Sequence, residues 1–283
     1  MTRMDFETEY NNRARVPDHA AYGERWAAQS EAWRKAGQCE LDLAYGPEER
    51  QRFDLFHASS AGGKPAAMLV YVHGGYWQWG DRKGHGWVAR ELNKAGVTVA
   101  VPSYRLCPAV SVMDVVSDVR ACVTAVWKRF GVPMAVAGHS AGGHLTAAML
   151  ATDWAKLGLP SNVVRAAYAI SGAFDPEPLI GTSIDSGLRL TVETARAANV
   201  MLWPAPQAGT RFVAAAGAEE SSEFLRQSRD LVGLWSKAGI TADAVVVPAA
   251  NHFSVVDELG RAHSGMTVRI GELARWATAA APG

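Results

Sequence analysis

A serine flanked by small residues, Gly138-His139-Ser140-Ala141-Gly142, fits the pattern G-x-S-x-G. The spacing has a mechanical reason: a sharp strand-to-helix turn strains the serine backbone and needs small neighbours on both sides. Such a turn projects the hydroxyl at the carboxyl edge of a sheet, over a helix N-terminus whose N–H groups favour developing negative charge. The chemistry this suits is nucleophilic attack on a carbonyl carbon. The competing reading is a serine in a tight turn with no chemistry; the strand-turn-helix context argues against it.

A serine hydroxyl needs a base, and the base needs an orienting acid. In this architecture the chain order is Ser, then Asp or Glu, then His. Of eight histidines, His19, His57 and His85 precede Ser140, and His73 belongs to another motif. His139 and His144 flank the turn and read as structural rather than as the base, while His263 opens the last predicted helix at the surface. His252 remains, on a short loop after the apolar run Val245-Val246-Val247-Pro248. For the acid, Glu219 and Glu220 both follow the predicted strand 211–216, and spacing leaves the two open. Glu223 falls in the first turn of the next helix, where the dipole favours a carboxylate without catalysis. Asp243 sits at a strand's opposite end and Asp257 inside a helix.

A second motif, His73-Gly74-Gly75-Tyr76-Trp77, follows the apolar run 68–72. Glycines there let the backbone turn so that amides point outward as oxyanion donors. Aromatic residues beside it, Tyr76, Trp77 and Trp79, are candidates for stacking on a substrate ring; for Trp77 and Trp79 the alternative is core packing.

These residues need a scaffold. Two period-2 runs, 40–45 and 52–57, flank Gly46-Pro47 and predict an antiparallel hairpin. Continuous apolar runs at 68–73, 97–101 and 133–137 read as strands buried on both faces, with further strands at 163–170, 211–216 and 242–247. Val112, Val115, Val116, Val119, Val123, Val126 and Trp127 recur at helical spacing and predict a helix over 111–130. Others are expected at 141–151, 222–237 and 265–280. The alternation predicts an α/β fold: one domain over 1–283 with a mostly parallel sheet, helices on both faces and an antiparallel N-terminal edge. Residues 1–38, carrying Tyr10, Tyr22, Trp26 and Trp33, read as a helical cover packed on the body. Residues 175–210 interrupt the rhythm and read as a small cap over the site.

Composition closes several doors. With 28 basic against 28 acidic side chains in 283 residues, there is no electrostatic reason to expect nucleic acid or an anionic membrane as partner. The first forty residues hold no signal-type apolar region, and no apolar stretch reaches the ~20 residues of a membrane helix. Cys39, Cys107 and Cys122 are odd in number and share no ligand spacing, which favours a reducing cytoplasm. No metal-binding pair, phosphate loop or dinucleotide fingerprint occurs, so neither metal nor cofactor is expected. The partner these residues suit is a small-molecule substrate.

Taken with the serine turn, His73-Gly74-Gly75-Tyr76-Trp77 resembles the HGGxW signature of kynurenine formamidases (arylformamidases), relatives of the hormone-sensitive-lipase-like esterases. The similarity continues through Glu9-Tyr10-Asn11-Asn12-Arg13, through Tyr45-Gly46-Pro47 to Arg52-Phe53-Asp54-Leu55-Phe56, through Ser222-Glu223-Phe224 with Arg226-Gln227-Ser228, and through Asn251-His252-Phe253. It covers nearly the whole chain and is weakest at 180–207. The resemblance implies an α/β-hydrolase fold, with Gly75, Tyr76 and Ala141 amides as the oxyanion hole. It also selects Glu220, the position directly before Ser221-Ser222, where the family usually carries Asp. The implied activity is cleavage of an aryl formamide such as N-formylkynurenine, in tryptophan breakdown; a carboxylesterase for small acyl or aryl esters is the alternative. A hydrolase-fold binding protein without turnover would usually lack a member of the triad, and Ser140, Glu220 and His252 are all present. His139 beside the serine and Trp203 in the cap, within the unfamiliar stretch Leu202-Trp203-Pro204, join Tyr76, Trp77 and Trp79 as candidate substrate contacts. The sequence does not fix the oligomeric state; relatives of this fold are often dimers, so a homodimer enters by analogy alone.

Overall fold

The N-terminal hairpin forms where its turn residues place it. In the computed structural model, which describes residues 4–58 and 63–279, β1 (Cys39–Ala44) pairs antiparallel with β2 (Arg52–Phe56). The chain then lays down β3 (Met68–Val72), β4 (Thr98–Pro102), β5 (Met134–His139), β6 (Val164–Ile170), β7 (Arg211–Gly217) and β8 (Thr241–Val247). They form one eight-stranded sheet of order β1-β2-β4-β3-β5-β6-β7-β8, antiparallel at β1/β2 and β2/β4 and parallel elsewhere. From β3 the chain goes first to one side, to β4, and then returns to the other, to β5. The crevice beyond the carboxyl ends of β3 and β5 is therefore the topological switch point, where open α/β sheets bind ligands.

Helices α1 (Phe6–Tyr10), α2 (Asn12–Arg15) and α3 (His19–Ala36) precede the sheet. Between the strands lie α4 (Ala89–Lys94), α5 (Val112–Phe130), α6 (Ala141–Leu150), α7 (Asp185–Leu188), α8 (Val192–Ala198) and α9 (Ser222–Lys237), and α10 (Gly265–Thr278) closes the chain. The α5 start is fixed by a capping box, Ser111 with Asp114, and its end by Gly131 in the left-handed region at φ 61°. The expected end of the last helix at residue 280 lies outside the described residues. Among those described, no helix is long and apolar enough to cross a membrane.

Strands β2 to β7 are largely buried because helices cover both faces, whereas the edge strands β1 and β8 stay partly exposed. Side chains of β3 alternate: Met68, Val70 and Val72 join α5, α6 and α9 in one core, and Leu69 and Tyr71 join α4 and α10 in the other. Trp26 of α3 belongs to the second core. The N-terminal segment is thus bolted to the body, as the aromatic content of 1–38 predicts. Its polar ties reach far along the chain. Tyr10 Oη donates to Glu223 Oε2 (2.9 Å), Glu9 accepts from Ser222 Oγ (2.8 Å), and Trp26 Nε1 donates to Asp257 Oδ1 (3.0 Å). Arg34 and Arg82 converge on the fully buried Asp54, so the cover is also locked to the hairpin by ion pairs.

Candidate active site

Strand β5 runs to His139, two residues beyond the expected end, and the chain turns at once into α6. Ser140 takes up the turn at φ 59°, ψ −119°, a conformation that costs a non-glycine residue on the order of 1–3 kcal/mol and persists only where the surroundings impose it. The surroundings do so: Ser140 N–H donates to Ile170 O at 2.8 Å. A Cβ added to Gly142 would lie 2.0 Å from Val72 O, so only glycine lets α6 sit this close to β3.

Ser140 Oγ lies 3.1 Å from His252 Nε2, and His252 Nδ1 lies 2.7 Å from Glu220 Oε2. All three are buried. The second oxygen of Glu220 accepts from Ser171 Oγ (2.5 Å) and from the Gly217 amide (2.7 Å), which fixes the carboxylate plane. Glu219 points to solvent, so the pair left open by spacing is separated by geometry. The His252 loop is rigid because Asn251 Oδ1 accepts from the amides of Phe253 and Ser254, both at 2.9 Å. Ser140, His252 and Glu220 stand in one hydrogen-bonded run, an arrangement that can activate a serine.

The loop after β3 lies against this serine: a Cβ on Gly74 would meet Ser140 Cβ at 3.1 Å. Gly75 has φ 115°, and its carbonyl accepts from the amides of Gln78 and Trp79 at 2.9 Å each. Tyr76 and Trp77 follow at φ 48° and 58°, two consecutive left-handed residues with side chains. Their side chains hold them there. Tyr76 Oη donates to Tyr10 O and accepts from Asn12 Nδ2 at 3.1 Å, and Trp77 is sunk in the core, edge-on to His144 at 5.1 Å. Among the described residues, the amides of Gly75 and Tyr76 have no protein partner. Ala141 supplies the first N–H of α6, one of the orphan donors at a helix start.

A family profile described as alpha/beta hydrolase fold matches residues 69–234. A kynurenine formamidase of Salmo salar is 30% identical over 237 residues, spanning 81% of this chain and 80% of its own. The chain belongs to the kynurenine formamidase family of α/β-hydrolases. It is a hydrolase. Among solved structures, a Silicibacter sp. TM1040 protein provisionally named a thioesterase is 33% identical, with a TM-score of 0.85, covering 95% of this chain and 99% of its own. An esterase of Pyrobaculum calidifontis, at 21% identity and a TM-score of 0.69 over 91% and 94% of the two chains, shares the fold.

In this α/β-hydrolase, Ser140 opens into a cavity of about 240 Å³. Of the expected substrate contacts, Tyr76, Trp79 and His139 line it. Trp77 and Trp203 do not, which corrects the sequence expectation. The left-handed backbone at Trp77 turns its ring into the core, and Trp203 sits on the insertion with Nε1 bonded to Ala197 O (2.9 Å) beneath Arg120. Nor does the 175–210 insertion roof the cavity. Its outer wall is the N-terminal segment, with Asn12, Arg13 and Trp26; Ser183 and Ile184 of the insertion line a neighbouring space of about 440 Å³. Sequence reasoning missed Arg13, Trp26, His85 and Phe253 as wall residues. The signals for them were the adjacency of Phe253 to His252 and the place of Arg13 in the stretch Glu9-Tyr10-Asn11-Asn12-Arg13. Among the described residues, no group of three or more His, Cys, Asp or Glu could hold a metal ion.

His139 donates through Nε2 to the carbonyl of His252 at 2.8 Å, tying the nucleophile turn to the base loop. Burial, and then the neighbouring His252, hold its pKa well below the ordinary histidine value. His73 is stacked between Tyr104 and His85 and donates through Nδ1 to Gly74 O (2.8 Å), so it braces the loop after β3 from behind.

Two of these histidines make stability depend on pH. Burial lowers the pKa of His73 to about 3 and of His144 to about 4, against 6.5 for the free side chain. Between those values the unfolded chain binds protons that the folded chain refuses. Stability is therefore full above pH 6.5 and falls as the pH drops below it. At pH 5 each histidine costs about 2 kcal/mol. A Tm lower at pH 5 than at pH 7 by on the order of 10 °C is expected from the pair; a flat Tm over that range would contradict the assignment.

Proposed function

We propose that this hydrolase cleaves aryl formamides of the N-formylkynurenine kind to formate and an arylamine, through a formyl-enzyme on Ser140. The observation that carries the reading is the hydrogen-bonded run Ser140–His252–Glu220 facing a small cavity walled by aromatic rings. His252 Nε2 takes the Ser140 proton as Oγ bonds to the formyl carbon, while Glu220 fixes the imidazole tautomer and stabilises the cation that forms. The oxyanion receives N–H groups from Gly75, Tyr76 and Ala141, each worth ~3 kcal/mol in the transition state. As the C–N bond breaks, Nε2 hands its proton to the departing amine nitrogen. Water then attacks the formyl ester, gives a proton to His252, and formate leaves as that proton returns to Ser140. A formyl group is the smallest acyl group, so most of the cavity serves the aromatic leaving group. On this reading the step belongs to tryptophan catabolism. Free thiols at Cys39, Cys107 and Cys122 agree with a reducing cytoplasm.

A second reading, a carboxylesterase for small acyl or aryl esters, uses the same residues and is favoured by the esterase and thioesterase names of the solved relatives. The two are separated by kcat/KM for N-formyl-L-kynurenine against p-nitrophenyl esters from acetate to octanoate. A formamide value of about 10⁴ M⁻¹s⁻¹ or more is expected. Fast ester cleavage with negligible formamide turnover would make the protein an esterase on a formamidase scaffold.

A further inference from the structure

The cavity in front of Ser140 has a one-sided electrostatic character. Its walls are the rings of Trp26, Tyr76, Trp79 and Phe253. Burial holds the pKa of the lining histidines His85 and His139 below the ordinary histidine value, and His252 Nδ1 lies 2.7 Å from Glu220 Oε2. Among the described residues, no carboxylate lines the cavity, and Arg13 is the one lining arginine or lysine.

Arg13 is poised rather than occupied. Among the described residues it forms no ion pair, and the nearest acids along its own segment are engaged elsewhere. Glu7 accepts from Ser183 (2.6 Å and 2.7 Å) and Asn11 (2.7 Å), and Glu9 accepts from Ser222 Oγ (2.8 Å) and the Glu223 amide (3.0 Å). Its guanidinium carbon lies 4.1 Å from the centroid of the Trp79 ring, which is 40% exposed at the cavity rim. Stacking on an aromatic face pre-orients the planar fork while leaving its in-plane N–H donors free, the geometry that receives a carboxylate bidentately.

We propose that Arg13 is a specificity-determining residue that receives a carboxylate carried on the leaving group, so that the enzyme prefers carboxylate-bearing aryl substrates whose ring lies along Tyr76 and Trp79. The inference rests on the assignment of Ser140 as nucleophile and of the cavity as the leaving-group site.

The test is a matched pair of substrates differing in one charge: N-formyl-L-kynurenine and its carboxamide, with 4-acetoxybenzoate and phenyl acetate as the corresponding ester pair. Wild type and Arg13→Gln are measured on all four. The ratio of kcat/KM, carboxylate over the partner lacking it, is expected to fall about tenfold in Arg13→Gln, through KM, with Arg13→Lys between the two. In wild type the same ratio falls as salt is raised. An unchanged ratio overturns the proposal, including when overall activity drops, because Arg13 then only holds the cover in place. If wild type cleaves neither formamide, the formamidase reading fails, and the ester pair still decides the role of Arg13.

Discussion

Ser140→Ala is expected to lower kcat/KM by at least about 10⁴-fold while leaving the far-UV spectrum and the cooperative unfolding transition intact. The loss is large because, among the described residues, Ser140 Oγ, at 3.1 Å, is the only hydroxyl bonded to His252 Nε2. The fold survives because the turn is imposed by backbone contacts, the Ser140 amide on Ile170 O and the glycine-mediated approach of α6, and none involves the hydroxyl. A fluorophosphonate should add its mass to wild type at Ser140 and not to the variant. Retention of more than a tenth of wild-type activity, or labelling of the variant, would remove Ser140 from the mechanism.

The Glu220 series carries the second large effect. Glu220→Gln keeps the shape but presents an uncharged amide to His252 Nδ1. A drop in kcat of about 10⁴-fold is expected, from the wrong tautomer and the lost stabilisation of the imidazolium. Glu220→Asp keeps the charge but retracts the carboxylate by one methylene. It can no longer span from the Gly217 amide and Ser171 Oγ on one oxygen to His252 on the other. An intermediate loss of about 10²-fold is expected. If Glu219→Gln proved as damaging as Glu220→Gln, the assignment of the acid would be wrong; the exposed side chain of Glu219 predicts near-wild-type turnover.

Much of this framework was legible before any coordinates. Period-2 runs, buried apolar runs and the 3.6-residue rhythm of α5 locate the strands and helices to within a residue or two, because each pattern reports which faces are covered. What failed were statements about facing. Trp77 and Trp79 are indistinguishable as residue types, and the left-handed backbone at Tyr76 and Trp77 sends one ring into the core while Trp79 stays at the rim. The wall of the cavity was assigned to the 175–210 insertion because insertions often supply caps. The N-terminal segment takes that place through ties from Glu9 and Tyr10 to Ser222 and Glu223, 213 residues along the chain. No local pattern encodes such a partner. Spacing could not divide Glu219 from Glu220 either; the choice depends on which of the two carboxylates can return to the Gly217 amide and still reach His252.

Those long ties also impose an order on assembly as the chain is made. Residues emerge N-terminal first at about 5–20 per second, so α1 to α3 leave the ribosome on the order of ten seconds or more before Ser222, Glu223 and Asp257 exist to receive them. Throughout that interval Trp26 can stack on Trp87, but Tyr10 lacks Glu223 and Phe224, and Trp26 lacks Asp257. The sheet can build outward from β3 and β5 meanwhile, but its crevice stays open to water on the side that α1 to α3 will cover. Docking of α1 to α3 is thus finished late, and the aromatic wall facing Ser140 is completed only when residues 222–257 reach Tyr10 and Trp26.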